Sequence, residues 1–225
     1  MVHVAAIVPA RNEAARIGDT VRALRAVADV TEIIVVDDAS QDGTADRAKE
    51  AGAAVLRLSR RVGKGGALDA GLAKTHAPVV LFIDGDLGST AAIAHELLEP
   101  ILNGDADLTI AAPPPSGTSG FGLVESLSRR GILALTGTDM ARPLSGQRAL
   151  RRDVLARAII APRFGVETAM TIDALRAGFR VVEIPLAFEH ARTGRDAAGF
   201  AHRARQGTDV LMVLLSRLRQ RAARP

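Results

Sequence analysis

Short apolar runs alternating with helical stretches dominate the first half of this 225-residue chain. Residues 4–8, 33–36, 54–58, 79–83 and 108–111 are built from Val, Ile, Leu and Ala with few polar interruptions. Between them, residues 13–27, 44–51, 64–74 and 90–102 have helical composition. Continuous apolar runs suit strands buried on both faces, and such strands are joined by helical crossovers. The alternation therefore predicts βαβ units: an α/β fold with a mostly parallel central sheet and helices on both faces.

The second half is less regular. Pro113-Pro114-Pro115-Ser116-Gly117-Thr118-Ser119-Gly120 breaks the rhythm and reads as a loop. Helices are expected around residues 124–135, 153–160 and 165–177, then a strand at 180–184 and a last helix at 198–221. We expect one domain, divided into residues 1–112, which hold most of the sheet, residues 113–197, which build on it, and a basic amphipathic helix over 198–225.

Composition narrows the partners. Cys, Trp and Tyr are absent, so neither a disulfide nor a thiolate metal site exists. The chain enters a strand-like segment at once, with no basic-then-apolar leader. The longest late aliphatic run, residues 210–215, falls far short of the roughly 20 residues that span a bilayer. The expectation is a soluble, cytoplasmic protein. Residues 190–225 carry eight arginines against Asp196 and Asp209, a net of +6, which leaves −2 for the rest of a chain of net charge +4. A basic tail suits a phosphorylated substrate or peripheral contact with an anionic membrane surface. Nucleic acid is not expected, because the six aromatics, all Phe, do not interleave with the basic residues as stacking platforms do.

Asp84-Gly85-Asp86 directly follows the apolar run 79–83. Ligands of open α/β sheets bind outside the carboxyl ends of the strands. Two acids at i and i+2 point the same way along an extended chain, and the glycine lets the backbone pass close to a ligand. A hard divalent cation prefers such oxygen ligands and shares them with substrate phosphates. A plain Asp-Gly turn is the alternative.

Other stretches sit at equivalent positions. Pro9-Ala10-Arg11-Asn12-Glu13 lies between the first strand and the first helix, where it serves a nucleotide or, through Asn12, caps the helix. Asp37-Asp38 ends the second strand; we assign Asp38 to function and Asp42 and Thr44 to structure. Gly63-Lys64-Gly65-Gly66 lacks the spacing of a kinase-type phosphate loop but suits a loop near a pyrophosphate, or a tight turn with a solvated lysine. Glu167 is placed as a general base or as a first-turn helix glutamate. His190, after the last strand, is a metal-ligand type or a structural histidine.

Taken in order, these segments resemble the family 2 glycosyltransferases of the GT-A (nucleotide-diphospho-sugar transferase) fold, in particular the dolichyl-phosphate mannose synthase catalytic domains and the glucosyl-3-phosphoglycerate synthases. The resemblance implies that Pro9, Arg11, Glu13 and Asp38 surround the base and ribose. Lys64 would lie by the nucleotide, and Asp84 and Gly85 by the ribose and sugar. Asp86 would sit on Mg²⁺ or Mn²⁺, with His190 at the late metal-ligand position. Residues 145–148, including Arg148, and Glu167 would face sugar and acceptor. The common Glu-Asp pair reads Glu167-Thr168 here.

The implied activity is transfer of a sugar from a nucleoside-diphosphate sugar, of UDP-glucose or GDP-mannose type, to a phosphate-bearing acceptor, either polyprenyl phosphate or a small phosphorylated acid. Arg129 and Arg130 are further candidates for that acceptor. The alternatives are a sugar-phosphate nucleotidyltransferase and a non-catalytic nucleotide-binding module.

Overall fold

A computed structural model of the chain describes residues 2–112, 122–157, 165–189 and 197–222. Its centre is a seven-stranded sheet: β1 (Val4–Ala10), β2 (Val30–Asp37), β3 (Ala54–Arg57), β4 (Val79–Phe82), β5 (Leu108–Ala111), β6 (Arg148–Arg151) and β7 (Val181–Ile184). The spatial order is β3-β2-β1-β4-β6-β5-β7. β1 pairs in parallel with β2 on one side and β4 on the other. Only β6 runs antiparallel to its neighbours β4 and β5.

The helices are α1 (Ile17–Arg25), α2 (Thr44–Glu50), α3 (Gly63–Leu72), α4 (His95–Leu102), α5 (Gly122–Thr136), α6 (Arg152–Leu155), α7 (Val166–Arg176) and α8 (Ala197–Ala222), with a 3₁₀ helix at Gly88–Ala94. Strand alternation divides the core into two layers. Val4, Ala6, Val8, Val35, Leu81 and Ile83 meet Ile17, Val21 and Leu24 of α1 and Leu97 and Leu98 of α4. Ile7, Ile34, Val36, Val80 and Phe82 face α3, α5, α7 and α8 on the opposite side. The expected α/β sheet with helices on both faces is what the chain builds.

Four elements differ from expectation. The first helix begins at Ile17, not residue 13, because Asn12 adopts a left-handed φ of 58° and residues 13–16 form a turn. The expected helix 90–102 is a 3₁₀ turn followed by α4. The helix expected over 153–160 is the short α6, with residues 158–164 outside the described part of the chain. Strand β6 was not expected at all. Arg148-Ala149-Leu150-Arg151 offers two apolar residues between arginines and gains its place from tertiary partners: Arg152 donates to the Ala77 and Thr75 carbonyls at 2.8 and 2.7 Å.

The topology creates the functional edge. From β1 the chain crosses to β2 on one side, and the crossover through α3 returns to β4 on the other. The order of the strands therefore reverses at β1, and the carboxyl ends of β1 and β4 form the switch point at which open α/β sheets place their ligand crevice. Close packing of α3 beneath that crevice depends on Gly71, where an added Cβ would lie 2.6 Å from Ile7 Cγ2 and 3.0 Å from Val36 Cγ2. Overpacking of this kind costs about 1–3 kcal/mol. Gly71→Val is expected to lower stability by that amount, read as a shift of the urea midpoint at unchanged slope.

Candidate active site

Three elements converge on Asp84. It leaves the end of β4, and its Oδ1 accepts a 2.7 Å ion-paired hydrogen bond from Lys64 Nζ on the first turn of α3. Its Oδ2 accepts from Gln147 Nε2 at 2.7 Å, because the antiparallel register Phe82↔Arg148 sets Gln147 beside the end of β4. Lys64 Nζ also lies 3.2 Å from Glu167 Oε1 on the first turn of α7. Burial alone would lower the Lys64 ammonium, but the charges of Asp84 and Glu167 outweigh it and hold the pKa above the usual lysine range. Gly146 leaves the room: a Cβ there would come 2.1 Å from Lys64 Nζ.

The two carboxylates of the Asp-Gly-Asp motif do not lie on one extended segment. The chain turns at Gly85 and Asp86. Gly85 makes a close approach to the protein's own first strand, since a Cβ would stand 3.0 Å from that of Ala10. Thr20 of α1, fully buried, fixes the turn by donating to the Gly85 carbonyl at 3.0 Å and accepting from the Gly88 amide at 2.8 Å.

Glu13 reports the electrostatics of the crevice. Burial first, and then the charges of Asp86, Asp42 and Asp84, push its carboxyl up to about 7, against a smaller opposing pull from Arg16. The described residues contain no group of three metal-ligand side chains. A cation here would take one or two carboxylates and complete its shell with substrate phosphates, a habit typical of Mg²⁺. Surplus negative charge fits such an ion.

The loops around the base and ribose region are tied to one another. Asn12 does not cap α1: its Oδ1 accepts from the Gln41 amide at 3.0 Å, and its own amide donates to Ser40 Oγ at 3.0 Å. Thr44 Oγ1 accepts from the Glu13 amide at 2.8 Å and Asp42 Oδ2 from the Ala14 amide at 3.2 Å, so this pair joins two loops. Asp38 is buried, and its oxygens accept from the Val62 and Gly63 amides at 2.6 and 2.9 Å. Those two N–H groups at the start of α3 are thus spent on a side chain. Pro9 is half-buried opposite Val36, and Arg11 is exposed with no ion pair among the described residues.

Arg148 requires correction. Expected to face sugar and acceptor, it is almost fully buried, and burial lowers its pKa to about 10. Its guanidinium donates to the carbonyls of Ser145, Glu167 and Pro143 and to Thr171 Oγ1. It holds the loop that carries Gly146 and Gln147. Arg129 is engaged with Asp139 at 2.6 and 2.5 Å. Thr168 is buried and shares a hydrogen bond with Ser128. His190 and residues 113–120 lie outside the described residues. Gln147 and Gly146 were expected only as part of a stretch, and Arg16 not at all; an i+2 offset from the buried strand residue Ala149 is the one local signal that could have singled out Gln147.

A switch-point crevice with a lysine-held aspartate places the chain among α/β enzymes that work at the carboxyl edge of the sheet. Residues 5–157 match the model of glycosyl transferase family 2, and the chain belongs to that family. It is a glycosyltransferase. It is 30% identical to glucosyl-3-phosphoglycerate synthase of Mycolicibacterium paratuberculosis, over 95% of this chain and 72% of that protein. It is 29% identical to undecaprenyl-phosphate mannosyltransferase of Micrococcus luteus, over 86% of each. Against the Mycobacterium tuberculosis glucosyl-3-phosphoglycerate synthase it spans 60% of that protein's length. The crystal structure of a Mycobacterium tuberculosis glucosyl-3-phosphoglycerate synthase in complex with Mn²⁺, uridine diphosphate and phosphoglyceric acid superposes with a TM-score of 0.81, at 29% identity, covering 96% of this chain and 78% of that one.

Glu13 gives a pH prediction. Its folded pKa is raised, so between about 4.5 and about 7 the folded chain holds a proton that the unfolded chain has lost. Stability from this group is therefore full below 4.5 and falls as pH rises to 7. In EDTA, Glu13→Gln is expected to be more stable than wild type at pH 8 and to lose that advantage towards pH 4, measured by urea unfolding at each pH.

Proposed function

We propose that the chain transfers a sugar from a nucleoside-diphosphate sugar, of UDP-glucose or GDP-mannose type, to a phosphate-bearing acceptor, with Mg²⁺ or Mn²⁺ at the Asp84–Asp86 turn. The observation that carries this reading is the gathering of Asp84, Asp86 and the partly buried Glu13 where β4 ends, where burial first and the neighbouring aspartates second raise Glu13 to about 7. A cation bound there neutralises the charge that develops on the departing diphosphate. The Mn²⁺, uridine diphosphate and phosphoglyceric acid held by the Mycobacterium tuberculosis relative support metal-dependent transfer from a nucleotide sugar to a phosphate-bearing acceptor.

Roles follow for the chain's own residues. Asp86 is the protein ligand of the cation, joined by His190 if that residue supplies a nitrogen. Asp84, held by Lys64 and Gln147, receives ribose and sugar hydroxyls. Pro9, Arg11 and Glu13 line the base and ribose, with Asp38 acting through the start of α3. The bond between the anomeric carbon and the diphosphate oxygen breaks as the bond to the acceptor oxygen forms. A hydroxyl acceptor must lose a proton, and Glu167 is the base in this reading once its contact with Lys64 is given up. An ionised phosphate acceptor such as polyprenyl phosphate needs no base.

The same reading extends to a lipid acceptor met at a membrane surface. Leu211, Met212, Leu215 and Leu218 of α8 are exposed, with Arg219 beside them, in a tail of net charge +6. An apolar stripe with an exposed arginine beside it suits peripheral contact with an anionic membrane. Among the described residues no helix is long and apolar enough to cross one.

Thermal shift with UDP-glucose and GDP-mannose, each with and without Mn²⁺, tests the donor. One of them is expected to raise the midpoint only with metal, since a ligand that binds the folded state stabilises it by mass action. A shift with nucleoside triphosphates alone would overturn the reading. Glu167→Gln separates the acceptors: a fall of about 10²–10⁴ in kcat marks a hydroxyl acceptor, and an unchanged kcat removes Glu167 as base.

A further inference from the structure

We propose that Arg16 is a positioning residue for the Asp86 turn, holding the aspartate where its carboxylate takes a divalent cation. The inference rests on the reading of Asp86 as a metal ligand. Arg16 stands at the N-cap of α1, half-buried beside the crevice. Its Nη1 donates to two main-chain oxygens, that of Asp86 at 2.9 Å and that of Glu189 at 3.2 Å. One guanidinium thus ties the turn after β4 to the segment after β7, which are 103 residues apart in the chain.

The grip is shared. One turn further along α1, Thr20 bonds the Gly85 carbonyl and the Gly88 amide. On the other side Thr90 accepts from the Glu189 amide at 3.2 Å and donates to the Leu87 carbonyl at 2.7 Å. The residues between β4 and the 3₁₀ helix have no regular ladder to orient them. These contacts set the course of the turn, and among them Arg16 is the one that bonds the Asp86 peptide directly. Groups that orient a metal ligand without touching the metal commonly change affinity 10–100-fold when lost.

Electrostatics makes the test directional. A guanidinium beside a cluster of carboxylates repels an incoming divalent ion. If Arg16 acted through its charge alone, removing it would tighten cation binding. If it acts by positioning, removing it weakens binding despite the lost repulsion.

The experiment titrates Mn²⁺ by electron paramagnetic resonance into wild type, Asp86→Ala, Arg16→Met and Arg16→Gln, each with saturating UDP. UDP binding without metal and the thermal midpoint are measured alongside. Asp86→Ala should lose Mn²⁺, and Arg16→Met should bind it about 10–100-fold more weakly, with UDP binding in the absence of metal unchanged. Arg16→Gln is read in the same way and decides the matter if Arg16→Met does not fold. An Mn²⁺ affinity equal to or tighter than wild type in the Arg16 variants, with Asp86→Ala defective, overturns the positioning role alone. Wild-type Mn²⁺ affinity in Asp86→Ala overturns the metal reading and the positioning role with it.

Discussion

Lys64 sits between two carboxylates that reach it from different parts of the fold, and the arrangement of the crevice follows from keeping it there. Asp84 and Glu167 have side chains only 25% and 9% exposed, and the lysine between them is 20% exposed. Removing one partner from such a cluster leaves a poorly solvated charge, which costs far more than a surface ion pair contributes. Each neighbouring feature serves this contact. Asp38 secures the start of the helix that carries Lys64, Gly146 leaves space for the ammonium, and Gln147 takes the second oxygen of Asp84.

Strand β6 joins the two halves of the chain. By running antiparallel between β4 and β5 it brings residues 145–147 back to the edge where the parallel strands end. Arg148, the first residue of that strand, reaches through the core to the Glu167 carbonyl and anchors α7 to the same loop. One buried guanidinium with four acceptors therefore fixes the 145–147 loop against the start of α7. A residue of this kind reads in the sequence as a site arginine, because its charge is visible and its burial is not.

Legibility varied with how local each cause was. Strands β1, β2, β4 and β5 were readable because a strand buried on both faces must be apolar along its length. Asp84, Asp86 and Lys64 were readable as polar residues at the ends of those strands and at the start of a glycine-rich helix. Capping of the first helix was one of the two roles open to Asn12, and it fails because the left-handed backbone of Asn12 and its partner Gln41 are set by the neighbouring loop. Asp38 was read as a ligand for substrate, whereas its bonds to residues 62 and 63 depend on where α3 begins. Arg16 gave no signal, since both its acceptors are main-chain oxygens far away in the chain.

The amino-acid sequence by itself determined the α/β architecture, the edge of the sheet that carries the candidate site and the acidic character of that edge. These depend on hydrophobic periodicity and on residue types at strand ends, which are properties of short segments. Only the tertiary structure decided which charges pair. Lys64 with Asp84 and Glu167, Arg148 with the carbonyls of its loop, and Arg16 with the Asp86 turn all join segments distant in the chain. Hydrogen bonds and ion pairs act over about 3 Å, so their partners are chosen by packing, after the sheet and helices have brought the segments together.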